Sequence, residues 1–125
     1  MPTKSPIVLL VEDDKSLIEM YQVRFQEEGF TILLAEDGAT GLQFARERHP
    51  SIILLDIMLP KMDGFAVLTE LKKDSGTKHI PVLMMTNLGQ QADIDKGHQL
   101  GADDYIVKSS LTPSQVAEKI KTFLK

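Results

Sequence analysis

The stretch Ser51-Ile52-Ile53-Leu54-Leu55-Asp56, followed at once by Ile57-Met58-Leu59-Pro60-Lys61-Met62-Asp63-Gly64, decides the fold. Four branched aliphatics bounded by Pro50 and a turn containing Pro60 and Gly64 predict a strand buried on both faces. Such strands belong to parallel sheets covered by helices. A carboxylate closing one of them must sit in a cleft with partners, because burying it unpaired is costly. In open parallel sheets that cleft lies outside the carboxyl ends of the strands. Asp56 is therefore placed where chemistry happens, and the remaining sequence is read for its surroundings.

Outward from this strand, five short apolar runs alternate with five amphipathic stretches, the pattern of an α/β fold. Strands are expected at 7–11, 30–35, 52–55 (ending in Asp56), 82–85 (opened by Pro81) and 105–107. The first helix is expected from residue 14 or 15 to residue 28, with Leu17, Ile18, Tyr21 and Phe25 as its apolar stripe and Gly29 as its stop. A second helix spans 38–48 with Leu42 and Ala45 facing in, and a third spans 64–73 with Phe65, Val67, Leu68 and Leu71. Ser75-Gly76-Thr77 is a loop. The fourth helix, 90–100, has only Ala92, Ile94 and Leu100 as apolar residues and an internal Gly97, so its stability is marginal. Thr112 caps the last helix, Pro113 occupies its first turn, and it reaches Phe123-Leu124. The expected architecture is a (βα)5 flavodoxin-like, doubly wound parallel sheet of strand order 2-1-3-4-5. One domain covers 1–125, with 1–5 as an N-terminal tail.

At 125 residues the chain fits one core. A net charge of −4 leaves no electrostatic footprint for direct nucleic-acid binding. With no cysteine, thiolate metal sites and cysteine nucleophiles are excluded. No apolar run approaches the ~18 residues of a membrane span, and the start is too short and polar for a signal segment. The expectation is a cytoplasmic protein with no membrane insertion. His49, His79 and His98 lack ligand spacing and read as surface residues.

Four strand ends carry usable polar groups: Glu12-Asp13-Asp14, Asp56, Thr86 and Lys108. Each alone has a plain structural reading. The acidic run suits a helix N-terminus, and for Asp14 that reading is preferred. Thr86 could be a cap, Lys108 a solvated lysine and Tyr105 a packed edge aromatic. Their joint placement at one sheet edge carries the signal. With strands one and three adjacent, Glu12, Asp13 and Asp56 converge, and converging carboxylates need a cation. An all-oxygen cluster selects a hard ion, Mg²⁺ or else Mn²⁺. Lys108 is a point charge suited to a phosphate oxygen, and the Thr86 hydroxyl can donate to the same group. A carboxylate nucleophile, a hard cation, a lysine and a hydroxyl describe phosphoryl transfer to Asp56.

The segments Val8-Leu9-Leu10-Val11-Glu12-Asp13-Asp14, Leu54-Leu55-Asp56-Ile57-Met58-Leu59-Pro60-Lys61-Met62-Asp63-Gly64, Met85-Thr86 and Gly101-Ala102-Asp103-Asp104-Tyr105-Ile106-Val107-Lys108 together resemble the receiver domain of two-component response regulators, of the stand-alone, chemotaxis-regulator kind. The resemblance covers essentially the whole chain. It implies that Asp56 is the phosphoacceptor, supplied by a histidine kinase or histidine phosphotransfer protein. It implies that Asp13 binds Mg²⁺ directly, that Glu12 acts through water, and that the backbone carbonyl of Met58 is a further ligand. Thr86 and Lys108 would hold the phosphoryl oxygens, and Tyr105 would be an aromatic switch turning inward as Thr86 moves. A downstream protein target would read helix four, strand five and helix five.

Two departures stand out. The family usually has proline after the lysine, often in a cis peptide; here Ser109 follows Lys108, and a trans bond is expected because cis costs roughly 2.5–4 kcal/mol without proline. Asn87 follows Thr86 where the family often has a smaller residue. Met58, Asn87 and Leu88 flank the mouth of the site, and apolar Met58 and Leu88 are expected to hinder water and slow dephosphorylation.

The expected function is a phosphorylation-controlled switch rather than an enzyme with a separate substrate. The second reading is a pseudo-receiver, an interaction module that never takes phosphate, favoured only by Ser109. A phosphatase of the haloacid dehalogenase type would need a second Asp two residues after the nucleophile, where Met58 stands. A nucleotide or flavin binder would need glycines, not acids, after the first strand.

Overall fold

The computed structural model describes residues 5–87 and 91–124. Strands and helices alternate: β1 (Ile7–Val11), α1 (Lys15–Glu27), β2 (Thr31–Ala35), α2 (Gly38–Arg48), β3 (Ile52–Asp56), α3 (Gly64–Lys73), β4 (Val82–Thr86), α4 (Gln91–Gln99), β5 (Asp104–Val107) and α5 (Pro113–Phe123). The five strands form one parallel sheet in the order β2-β1-β3-β4-β5. This is the expected flavodoxin-like α/β fold. Strand β1 and the helices α2 and α3 keep their expected bounds, β3 ends in Asp56 as expected, and β2, β4 and β5 differ from expectation by a residue at one end. The first helix ends at Glu27 because Glu28 is its C-cap, ahead of Gly29 at φ +85°. Residue 90, expected to open the fourth helix, lies outside the described residues.

Strand alternation divides the core in two. On one side Val8, Leu10, Ile52, Leu54, Leu83, Met85 and Ile106 pack under α1 and α5. On the other Leu9, Val11, Ile53, Leu55, Val82 and Met84 meet α2 and α3. All five residues of β3 and of β4 are buried, so the central strands have no solvent face. Local sequence starts the helices: Asp14, Asp37 and Asp63 cap α1, α2 and α3 by accepting amide hydrogen bonds, and Thr112 with Gln115 makes a capping box on α5. Asp14 is thus a cap, as its position suggested. Helix α4 buries only Ile94 and Gly97, which bears out its expected light anchorage.

Under α1, Tyr21 stacks on Phe25 at 5.3 Å between ring centres, and Phe25 meets Phe30 edge-on at 5.9 Å. The Tyr21 hydroxyl is buried without a hydrogen-bond partner. Burial, with the charge of Glu12, pushes its pKa up to about 12. An unpaired buried hydroxyl is a net cost. Tyr21→Phe is therefore expected to raise the unfolding free energy by about 1 kcal/mol, read from the urea midpoint at unchanged slope; a loss of stability would show that the hydroxyl is satisfied in solution.

Candidate functional site

The parallel register brings the carboxyl ends of β1, β3 and β4 side by side. Val11 is level with Leu55 and Asp56 with Met85, so Glu12, Asp56 and Thr86 leave adjacent strands at one rim. The chain past each strand stays hydrogen bonded: the Glu12 amide donates to Ala35 O at 3.0 Å, Ile57 to Met85 O at 3.2 Å, and Lys108 to Thr86 O at 2.8 Å. Three buried polar residues mark this rim: Glu12 at 0%, Asp56 at 4% and Thr86 at 6% exposure.

Glu12 is fixed by its own turn. Its Oε2 accepts the amides of Asp13 at 3.0 Å and Asp14 at 3.1 Å. The other oxygen, Oε1, lies 2.6 Å from Lys108 Nζ, and the same ammonium lies 3.0 Å from Asp56 Oδ2. Oε1 is buried and is paired with the Lys108 ammonium. The remaining Asp56 oxygen, Oδ1, faces the Met58 amide at 3.4 Å. Asp13 is exposed, and carboxylate oxygens of Glu12, Asp13 and Asp56 all lie within 4.8 Å of one another. An all-oxygen set of this compactness fits a hard divalent cation.

The charges set the protonation states. Burial holds the Glu12 carboxyl above its ordinary 4.5, reinforced by the charge of Asp56 and opposed by Lys108 and the Asp14 amide. Burial alone would lower Lys108, but its bonds to Glu12 and Asp56 outweigh that and keep its pKa above 10.5. Lys108 is therefore an ammonium at neutral pH.

Glu12, Asp13, Asp56 and Lys108 come together as expected, with Met58 adjacent and Thr86 on the neighbouring strand. No peptide bond among the described residues is cis, so Ser109 follows Lys108 through a trans bond and the lysine still reaches the acids. Tyr105 stands apart. Alternation puts Asp56 on the α1–α5 side of the sheet, whereas Thr86 and Tyr105 line a small cavity of about 10 Å³ on the other side with Ile94, Gly97 and His98. The Tyr105 ring meets His98 edge-on at 6.0 Å. That partner was not legible in sequence, where His98 was only a surface histidine; His49, His79 and His98 are indeed exposed. Met58 is 75% exposed at the mouth and Asn87 is exposed, while Leu88 lies outside the described residues.

A carboxyl held above its ordinary pKa binds protons more readily in the folded than in the unfolded chain, so its contribution to stability falls as pH rises above 4.5. In cation-free buffer, the difference in unfolding free energy between Glu12→Gln and wild type is expected to grow in favour of the variant from pH 4.5 toward neutrality. Urea titrations at several pH values measure it, and a flat difference would refute the assignment.

Similarity to known proteins agrees with this geometry. The model of the response regulator receiver domain matches residues 8–121. The DNA-binding dual master transcriptional regulator RpaA of Synechocystis sp. is 41% identical over 103 residues, which are 82% of this chain and 43% of that protein. The chemotaxis response regulator CheY4 of Vibrio cholerae has a TM-score of 0.88 at 27% identity, over 96% of this chain and 99% of that one. The Mn²⁺-bound form of the response regulator Rcp1 has a TM-score of 0.77 at 27% identity, over 95% and 89%. The chain spans about half the length of the curated relatives it matches, and the DNA binding of RpaA is a property of that protein. No helix among the described residues is long and apolar enough to cross a membrane. With its sheet order, its acidic rim and a match over nearly its full length, this chain belongs to the receiver-domain family of two-component response regulators.

Proposed function

We propose that this chain is a phosphorylation-controlled switch in which Asp56 accepts a phosphoryl group from a histidine on a partner kinase or phosphotransfer protein. The observation that carries the reading is the placement of Asp56: a buried strand-end carboxylate, beside two further acids and 3.0 Å from an ammonium. One oxygen of Asp56 attacks phosphorus; the O–P bond forms, the N–P bond of the phosphohistidine breaks, and its electron pair returns to the imidazole. Asp13, Asp56 and the Met58 carbonyl would hold Mg²⁺ or Mn²⁺, with Glu12 acting through water. Such an ion, when bound, offsets the charge gathered by the carboxylates and the phosphoryl oxygens.

The chain's own residues do the rest. Lys108 turns from the carboxylates to a phosphoryl oxygen, and Thr86 donates its hydroxyl to another. Movement of Thr86 frees room for Tyr105 to turn inward. The cavity there holds about one water, far less than a tyrosine ring, so the turn requires α4 to yield. With only Ile94 and Gly97 buried, α4 is the helix least costly to shift. The surface of α4, β5 and α5 would then present the signal to a downstream protein in the cytoplasm.

Receiver domains are signalling switches, and here no separate substrate is proposed; the site catalyses only its own phosphorylation and dephosphorylation. The pseudo-receiver reading was favoured only by Ser109, and the lysine's contacts with Glu12 and Asp56 count against it. A dehalogenase-type phosphatase lacks its general acid, since Met58 holds that place.

With Mg²⁺ and acetyl phosphate, wild type is expected to gain one phosphoryl group by intact mass and Asp56→Asn none. No Mg²⁺-dependent adduct on wild type, or an adduct kept by Asp56→Asn, would overturn the proposal. Met58→Asn, which puts a water-binding group at the mouth, is expected to shorten the lifetime of the adduct, followed by the same mass measurement over time.

A further inference from the structure

Residues 57–63, between β3 and α3, carry Met58 over the site, and their position is set by an unusually close contact with α2. At the base of the loop the Gly64 amide donates to Ile57 O at 2.8 Å. At the far end, Pro60 O accepts both the Met62 amide at 2.7 Å and the Gly38 amide at 3.3 Å. Between them Lys61 takes a left-handed φ of +67°, and its Nζ lies 3.8 Å from Asp37 Oδ2, on the cap of α2. Gly38 is buried in the first turn of α2. A Cβ added there would meet Met62 O at 1.8 Å and Met62 C at 2.7 Å. Two stretches of backbone are thus in contact with no room for even a methyl group, and the obstacle is backbone rather than a side chain that could swing away.

We infer that Gly38 is a positioning residue for the cation site, holding residues 60–62 against α2 and so fixing the seat of Met58 beside Asp56. Pro60 is two residues from Met58, whose amide faces Asp56 Oδ1 at 3.4 Å, and the Gly64 contact prevents the loop from absorbing a shift at its base. Displacing residues 60–62 therefore moves Met58 relative to Asp13 and Asp56 while leaving every proposed carboxylate ligand in place. Outer contacts that orient a ligand ordinarily matter at the level of ten-fold or more in metal affinity. The inference rests on the divalent-cation site proposed above.

The test is calorimetric titration of Mg²⁺ into wild type, Gly38→Ala and Ile120→Val, the last a core variant on α5 remote from the loop. Gly38→Ala is expected to bind Mg²⁺ about ten-fold more weakly than wild type, and Ile120→Val to match wild type. The same coupling must work in reverse: in wild type, saturating Mg²⁺ is expected to slow hydrogen exchange of the Gly38 and Met62 amides and leave the Val116 amide in α5 unchanged. This second measurement needs no variant, so it decides the matter if Gly38→Ala fails to fold. Wild-type affinity in folded Gly38→Ala, or Gly38 exchange indifferent to Mg²⁺, would overturn the inference alone. No Mg²⁺ binding by wild type would overturn it together with the cation site on which it rests.

Discussion

One ammonium shared by two buried carboxylates is the constraint on which the rest of this rim depends. Glu12 and Asp56 are almost wholly withdrawn from water, and each would be costly to bury as an unpaired anion. Lys108 meets both at once, at 2.6 and 3.0 Å. Removing one member of such a buried set typically costs 3–5 kcal/mol, because the remaining charge is stranded. The sheet supplies the precision this requires. Parallel register sets Asp56 level with Met85, and the bond from the Lys108 amide to Thr86 O ties the lysine's backbone to the same rim. Glu12 cannot swing away, since two successive amides hold its other oxygen.

Three carboxylates converge on one ammonium at this rim, which leaves an excess of negative charge there. Glu12 Oε1 is paired with Lys108 at 2.6 Å. Asp13, just outside the buried group, has its carboxylate free to approach the same space. Lys108 stays charged at neutral pH through its acidic neighbours, so an arriving anion competes for a cation that already exists and no proton has to move first.

Much of this could be read in the linear chain because it depends on local pattern. The run Ile52-Ile53-Leu54-Leu55 declares a doubly buried strand, and alternation with helical stretches leaves few topologies. Caps such as Asp14 and Thr112 act within a few residues and are equally plain. What stayed hidden depends on packing between distant segments. The need for glycine at position 38 arises from the backbone of Met62, and the edge contact of His98 with Tyr105 from the way α4 leans on β5. The unpaired Tyr21 hydroxyl was invisible for the same reason: Tyr21 occupies a correct place in the apolar stripe of α1, and only the packed core reveals that its oxygen finds no partner. The terminal turn before α5 was the opposite case. Ser109 stands where the family usually has proline, and the trans bond expected there leaves Lys108 within reach of both acids.

The two sides of the sheet carry different groups. Asp56, Glu12 and Lys108 belong to the side covered by α1 and α5, while Thr86 and Tyr105 belong to the side where α4 lies. In the proposed switch, a signal received on the first side would have to cross at the strand tips to be felt on the second, where Thr86 stands. Under the proposed function, reception and broadcast would therefore be separable in sequence space. Residues of α4 and β5 could then diversify to suit new listeners while the acid–lysine group stays untouched, so that one receiving chemistry would serve many outputs.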